Sequence, residues 1–297
     1  MDSMTLRSGP LGVVLSPLVG GAIARFWSEK TGPAVELLRP GPDLALARRD
    51  PWAMACFPLV PWSNRIREGR FAFGRRTVSL PPNRPQDRHT IHGHGFQTAW
   101  TVVNDGPALA VLEYLHAPDA WPWAYRAVQR IAVTPASLEL ELTLANESDA
   151  AMPAGLGWHP YFPRTAATTL TARVTGLWQT DAEVLPIACV APPPDRDPGR
   201  GLLVDRVALD NAFVGWDGQA AVAWPERRVQ LRLGTRGPLG TLVVYTPSGE
   251  SFFCAEPVSH ITDAFNLAAA GRADTGMLTL APGESVRASL TLTPETT

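Results

Sequence analysis

Ser137-Leu138-Glu139-Leu140-Glu141-Leu142-Thr143-Leu144 alternates apolar and polar residues without a break. In an extended chain successive side chains point to opposite faces, so this stretch reads as a strand with leucine on one face and solvated groups on the other. Arg126 to Val133, Val229 to Leu233 and Val286 to Leu292 repeat the pattern. Clusters of Asn, Gly, Pro and Asp separate such segments, and none carries a strong 3.6-residue apolar stripe over three turns. The stretch 264–273 is at most a short helix. These features predict an all-β chain, built as a large antiparallel β-sandwich.

Composition points the same way. Of 297 residues, 25 are Gly and 29 are Pro, while charged residues make up 18%. Abundant turn residues and few charges suit short strands joined by many turns. The net charge of −2 comes without a Lys/Arg block. That argues against nucleic acid or an anionic membrane as the main partner. Val190 to Gly201, with Pro192-Pro193-Pro194, is the one long irregular stretch. Strand patterns of the same kind continue on both sides, so it reads as a surface excursion within a single domain, 1–297.

Leu11 to Ala24 imitates the apolar run of a secretory leader, but Pro17, Gly20 and Gly21 interrupt it. Two strands turning at Val19-Gly20-Gly21 account for it better. Nothing approaches the ~20 unbroken apolar residues of a membrane span. Cys56, Cys189 and Cys254 are far apart and lack C-x-x-C spacing, so a reduced, cytoplasmic compartment is expected rather than a disulfide framework.

The residues able to do chemistry sit in short motifs. Gly155-Leu156-Gly157-Trp158-His159-Pro160-Tyr161-Phe162 places one histidine among aromatic rings. Cys254-Ala255-Glu256-Pro257 places one carboxylate in a similarly apolar run. Apolar surroundings penalise charge and tune pKa values, which general acid–base chemistry near neutral pH requires. A buried His on a backbone carbonyl and a Glu in a structural ion pair would give the same pattern.

Asn64 and Arg65 offer several donors to an oxygen-rich ligand; the alternative is a turn capped by Asn64 with Arg65 in solvent. His89, His92 and His94 fall within six residues, which invites a metal reading, and a regular strand would put His92 and His94 on one face. Gly93 and Gly95 favour instead a loop from which His92 donates to a ligand. Asp210-Asn211 before Phe213 suits ligand hydroxyls or an Asx turn. Trp62, Trp158 and Phe213 offer faces for stacking on a sugar ring, though most tryptophans serve the core.

Taken in order, Asn64-Arg65-Ile66 before Gly69, His92-Gly93, Gly157 to Phe162, Asp210 to Phe213, and Glu256-Pro257 followed by Asp263-Ala264-Phe265-Asn266 resemble the aldose 1-epimerase (galactose mutarotase) family across essentially the whole chain. The His-Gly-His-Gly loop and the Glu-Pro-Val-Ser-His sequence look like its divergent bacterial branch. The resemblance implies a β-supersandwich with an open sugar cleft that interconverts the α and β anomers of a free aldose without metal or organic cofactor. It makes His159 the general acid and Glu256 the general base, with Arg65, His92 and Asp210 holding the sugar. Asn64 and Trp158 complete the expected substrate contacts. His94 replaces the second glycine of the usual His-Gly-Gly and is therefore a candidate for specificity.

Three rivals remain at this stage. A hexose-6-phosphate mutarotase of the same fold would need extra cations, for which Arg67, Arg70, Arg75 and Arg76 are candidates. A sugar-binding or sensor protein would keep the cleft without the reaction, and a cupin-like enzyme would use the three clustered histidines for metal. The expected partner is a small monosaccharide, with the chain a monomer or homodimer.

Overall fold

The computed structural model describes residues 3–30, 32–84 and 87–297. Two large sheets dominate. The first has eleven strands, ordered Met4–Ser8, Leu11–Ser16, Ala22–Ser28, Cys56–Leu59, Gly157–Pro163, Phe252–Val258, Thr241–Tyr245, Asp210–Val214, Gly176–Thr180 and Pro186–Val190, with Val35–Glu36 added beside Ala22–Ser28. The second has nine, ordered Thr101–Gly106, Leu109–His116, Tyr125–Val133, Leu138–Asn146, Ser285–Thr296, Val229–Arg236, Gln219–Trp224, Thr169–Ala172 and Leu202–Leu203. Every pairing within them is antiparallel. The α-helices among the described residues are two six-residue turns, Asp43–Arg48 and Ala264–Ala269. None is long and apolar enough to cross a membrane.

The alternating segments became strands for the reason their pattern gives. Along Leu138–Asn146, Leu138, Leu140, Leu142 and Leu144 are buried while Glu139, Glu141 and Thr143 are only partly covered. Burial of one such leucine contributes about 2 kcal/mol. The hydrophobic core draws on both sheets, from Met4 to Leu292. The apolar run after Leu11 forms two neighbouring strands of the eleven-stranded sheet. Its turn needs glycine at position 20, where φ is +65° and a Cβ would lie 2.1 Å from the Phe96 carbonyl oxygen. The Pro-rich stretch after Val190 carries one 3-10 turn, Pro198–Arg200, and joins the edge strand of one sheet to that of the other.

The strand Gly157–Pro163 lies at the middle of the larger sheet, between Cys56–Leu59 and Phe252–Val258. Gly157 pairs with Val258 and Tyr161 with Cys254, so the same register sets His159 across from Glu256. Pro160 and Pro257 lack the N–H that would complete the ladder between those pairs. Alternation turns His159 and Tyr161 to one face of the sheet and Trp158 and Phe162 to the other. The second face looks toward the smaller sheet, where the Trp158 indole N–H donates to Gln129 Oε1 at 3.4 Å.

Candidate active site

A cleft of about 560 Å³ opens on the outer face of the larger sheet. Its walls include Asn64, Arg65, His92, His159, Asp210 and Glu256, drawn from five separate segments of the chain. His159 and Glu256 come from adjacent strands, with Nε2 and Oε1 3.2 Å apart and both side chains buried. His159 Nδ1 and Glu256 Oε2 are also buried and have no hydrogen-bond partner among the described residues. Unpaired buried polar atoms are uncommon, and these two belong to neighbouring side chains on the cleft wall.

Burial governs the protonation of this pair. It pushes the Glu256 carboxyl well above the usual carboxylate range, helped by the Asp210 charge and opposed by Arg65. It pulls the His159 imidazole down to about 3, with the Arg39 cation acting in the same direction. One proton therefore resides on the pair over a wide pH range, and its two holders titrate as a unit. Tyr161 stacks on the His159 ring at 4.6 Å and Phe57 packs against it, tilted, at 4.7 Å, which together fix its orientation.

His92 reaches the cleft from a strained loop. Its φ is +66° and that of Asn64 is +55°, conformations that non-glycine residues adopt only when their surroundings enforce them. Here the two enforce one another. The Asn64 N–H donates to His92 Nδ1 at 3.1 Å, and the His92 N–H donates to the Asn64 carbonyl at 3.1 Å. Nδ1 is thus the acceptor, and the ring proton is assigned to Nε2. Burial holds His92 far below its usual pKa, with the His159 ring as the next influence. It is a neutral donor, lying edge-on to His159 at 5.0 Å. The next residue, Gly93, has φ +74°, and a Cβ there would meet the Val60 carbonyl oxygen at 2.1 Å.

Arg65 stands between two carboxylates, 3.6 Å from Asp87 and 3.7 Å from Asp210. Burial raises the Asp210 pKa, and Arg65 offsets that rise. The Asn64 Oδ1 accepts the Arg65 N–H at 2.8 Å, which leaves the Asn64 amide nitrogen for the cleft. Asp263 braces this loop from below. Its backbone N–H donates to the Arg65 carbonyl at 2.8 Å, and its carboxylate accepts from the Arg67 backbone and guanidinium at 2.9 and 3.2 Å. His260 holds the preceding residue by accepting the Ser63 N–H at 3.2 Å.

The aldose 1-epimerase family model matches residues 2–293 of the sequence. The chain belongs to the aldose 1-epimerase family. Among its relatives is the uncharacterized protein YphB of Escherichia coli K12, 31% identical over 303 residues and 99% of either chain. The crystal structure of a candidate aldose 1-epimerase from Escherichia coli K12 superimposes with a TM-score of 0.88 at 30% identity, covering 99% of both chains. A galactose mutarotase-like protein from Clostridium acetobutylicum shares the fold, with a TM-score of 0.88 at 20% identity over 99% of this chain and 95% of that one.

Six of the eight residues expected at an epimerase site meet in the cleft. Two do not. Trp158 precedes His159 on one strand, so period two sends its indole into the core, where it is fully buried. Trp62 and Phe213 are core residues as well. His94 also lies outside the cleft walls. The strand Thr90–Ile91 ends before it, and the positive φ of His92 and Gly93 breaks the parity that would have aligned it with His92. Its ring instead stacks on His116 at 4.6 Å and bonds the Tyr125 hydroxyl at 3.1 Å, so a direct role in specificity has no geometric basis.

The three clustered histidines therefore part company, since His89 accepts the Glu68 N–H at 2.9 Å. The one His/Cys/Asp/Glu group whose ligand atoms converge among the described residues is His159, Cys254 and Glu256, within 4.8 Å of one another. Burial raises the Cys254 thiol and the Glu256 carboxyl above their usual pKa values. Arg67, Arg70, Arg75 and Arg76 are absent from the cleft walls. Arg39 and Arg84 are present, and sequence patterns had not marked either.

Proposed function

We propose that this protein is an aldose 1-epimerase that interconverts the α and β anomers of a free aldose, with His159 and Glu256 moving the protons. The observation that carries the reading is the 3.2 Å approach of His159 Nε2 to Glu256 Oε1 on the cleft wall. Ring opening takes the proton from the C1 hydroxyl, breaks the C1–O5 bond and delivers a proton to O5. Rotation about C1–C2 and reversal of these steps yield the other anomer. One donor and one acceptor suffice, and a pair sharing a single proton is both at once.

In the family pattern Glu256 is the base and His159 the acid. That assignment needs the shared proton on the imidazole. Burial of the unliganded pair favours Glu256 as the holder, and Arg65 opposes that preference by lowering the Glu256 pKa. The neutral Nε2–H of His92 then supplies a hydrogen bond to an oxygen that gains charge, and in a buried site such a donor counts for more than in water. Asp210, Arg65 and the Asn64 amide complete a set of donors and acceptors for sugar hydroxyls. The test is polarimetric mutarotation across a panel of aldoses, neutral and acidic, read against the spontaneous rate. Acceleration of at least one aldose supports the reading, and no acceleration of any would reject it.

A further inference from the structure

Beyond the residues that face the reacting end of a sugar, the cleft carries two arginines without an ion pair among the described residues, Arg39 and Arg84. Arg65, by contrast, forms ion pairs with Asp87 and Asp210, although Asp210 also feels the Arg84 charge at longer range. Arg39 is held rigidly. Its Nη2 donates to the carbonyls of Trp52 and Met54 at 3.2 and 2.7 Å, and its guanidinium lies 3.9 Å above the Tyr161 ring and 4.7 Å from that of Phe252. Its Nε is buried with no partner. Arg84 lies over the indole of Trp52 at 5.2 Å, so both cations gather around one residue of the Pro51–Ala53 turn.

Burying a guanidinium that lacks a carboxylate is costly, and here burial already depresses the Arg39 pKa. Two backbone carbonyls and two aromatic rings engage the group, but none of them supplies a formal negative charge. Distance gives it a use. Tyr161 stacks on His159 at 4.6 Å and Arg39 on Tyr161 at 3.9 Å, which puts the guanidinium within 8.5 Å of the His159 ring. A hexose with its C1–O5 bond at His159 spans roughly that gap when it bears an acidic group beyond C5, since each bond advances the chain only about 1.5 Å. The exposed Glu250 at the rim acts on the Arg39 charge, as does Asp50, but neither closes to an ion pair with it.

We propose that Arg39 and Arg84 form an anion subsite, and that the natural substrate is an aldose bearing a carboxylate or phosphate at the end remote from C1. This rests on the epimerase reading above. It also differs from the basic strand face Arg67–Arg76 as a source of cations, because that face lies outside the cleft.

The test compares kcat/KM, by NMR exchange between anomers, for D-glucose, D-glucose 6-phosphate and D-glucuronate, in the parent protein and in Arg39→Gln and Arg84→Gln. Hydrogen bonds to a charged group support an advantage on the order of 10-fold or more for one of the acids over glucose. That ratio should fall toward one in both variants and decline with added salt. The 6-phosphate and the uronate arms distinguish the two sources of charge. Because Arg84 is exposed, Arg84→Gln keeps the test decisive if Arg39→Gln fails to fold. Glucose turned over as well as either acid, or a ratio unmoved by the variants, overturns the subsite and leaves the epimerase reading standing. If none of the three sugars is turned over, calorimetric binding decides. Tighter binding of an acid than of glucose, lost in Arg84→Gln, sustains the subsite, and equal binding removes it.

Discussion

Replacing Glu256 by glutamine should change how stability depends on pH, and the size of the change follows from counting protons. In the folded parent the His159–Glu256 pair holds one proton, because burial raises the carboxyl and lowers the imidazole. In Glu256→Gln the folded pair holds none until His159 itself titrates at about 3. In the unfolded chain a glutamate is ionised above about pH 5.5, so parent and variant then carry the same protons. The parent's folded-state carboxyl pKa is raised, so its contribution is fully present below the unfolded value and is lost as pH rises toward the folded one. The variant lacks that loss.

The unfolding free energy of Glu256→Gln minus that of the parent should therefore grow by about 1.4 kcal/mol per pH unit from pH 5.5 upward. It levels off where the pair gives up its last proton. Which of the two side chains carries the proton does not matter, because only the count enters. Urea unfolding of both proteins at half-unit steps measures the difference directly. A difference that stays flat from pH 5.5 would mean that the folded pair is a carboxylate beside a neutral imidazole, and the proton-sharing argument would be wrong.

Three further outcomes are expected. The pH profile of kcat/KM should be a bell whose acid limb reflects a second proton arriving on His159 and whose alkaline limb reflects loss of the shared one; alkaline activity that never declines would contradict this. His94→Ala should leave kcat and KM within about threefold, since its ring lies outside the cleft. It should cost roughly 1–2 kcal/mol in chemical denaturation through its lost stack and hydrogen bond, and a selective change in sugar preference would restore a specificity role. Mutarotation should also survive exhaustive dialysis against a chelator, because the pair completes both proton transfers; loss that one added metal restores would give the convergent His159, Cys254 and Glu256 atoms a different meaning.

The strands were legible because their signal is local. Leucine on every second position from Leu138 to Leu144 admits few other structures. The same parity rule, applied strictly, excludes Trp158 from any site that contains His159, since neighbours on a strand face opposite ways. His94 escaped that rule because the backbone leaves the β region at His92 and Gly93, and residue spacing predicts direction only where φ and ψ repeat. The pairing of His159 with Glu256 depends on strand register across about a hundred residues, and family resemblance brought them together before the sheet did. Arg39 and Arg84 gave almost no signal. Arg39 interrupts an apolar run at Leu37-Leu38-Arg39-Pro40, but its approach to Tyr161 arises from packing between segments over a hundred residues apart.

The central claim is that His159 and Glu256 exchange protons with the anomeric centre. Polarimetric mutarotation of the best aldose by the parent, Glu256→Gln and His159→Asn tests it most directly. Each substitution should lower kcat by roughly 10²-fold or more, the usual scale of a general acid or base, while both variants remain folded. Either variant retaining near-parental kcat would contradict the assignment.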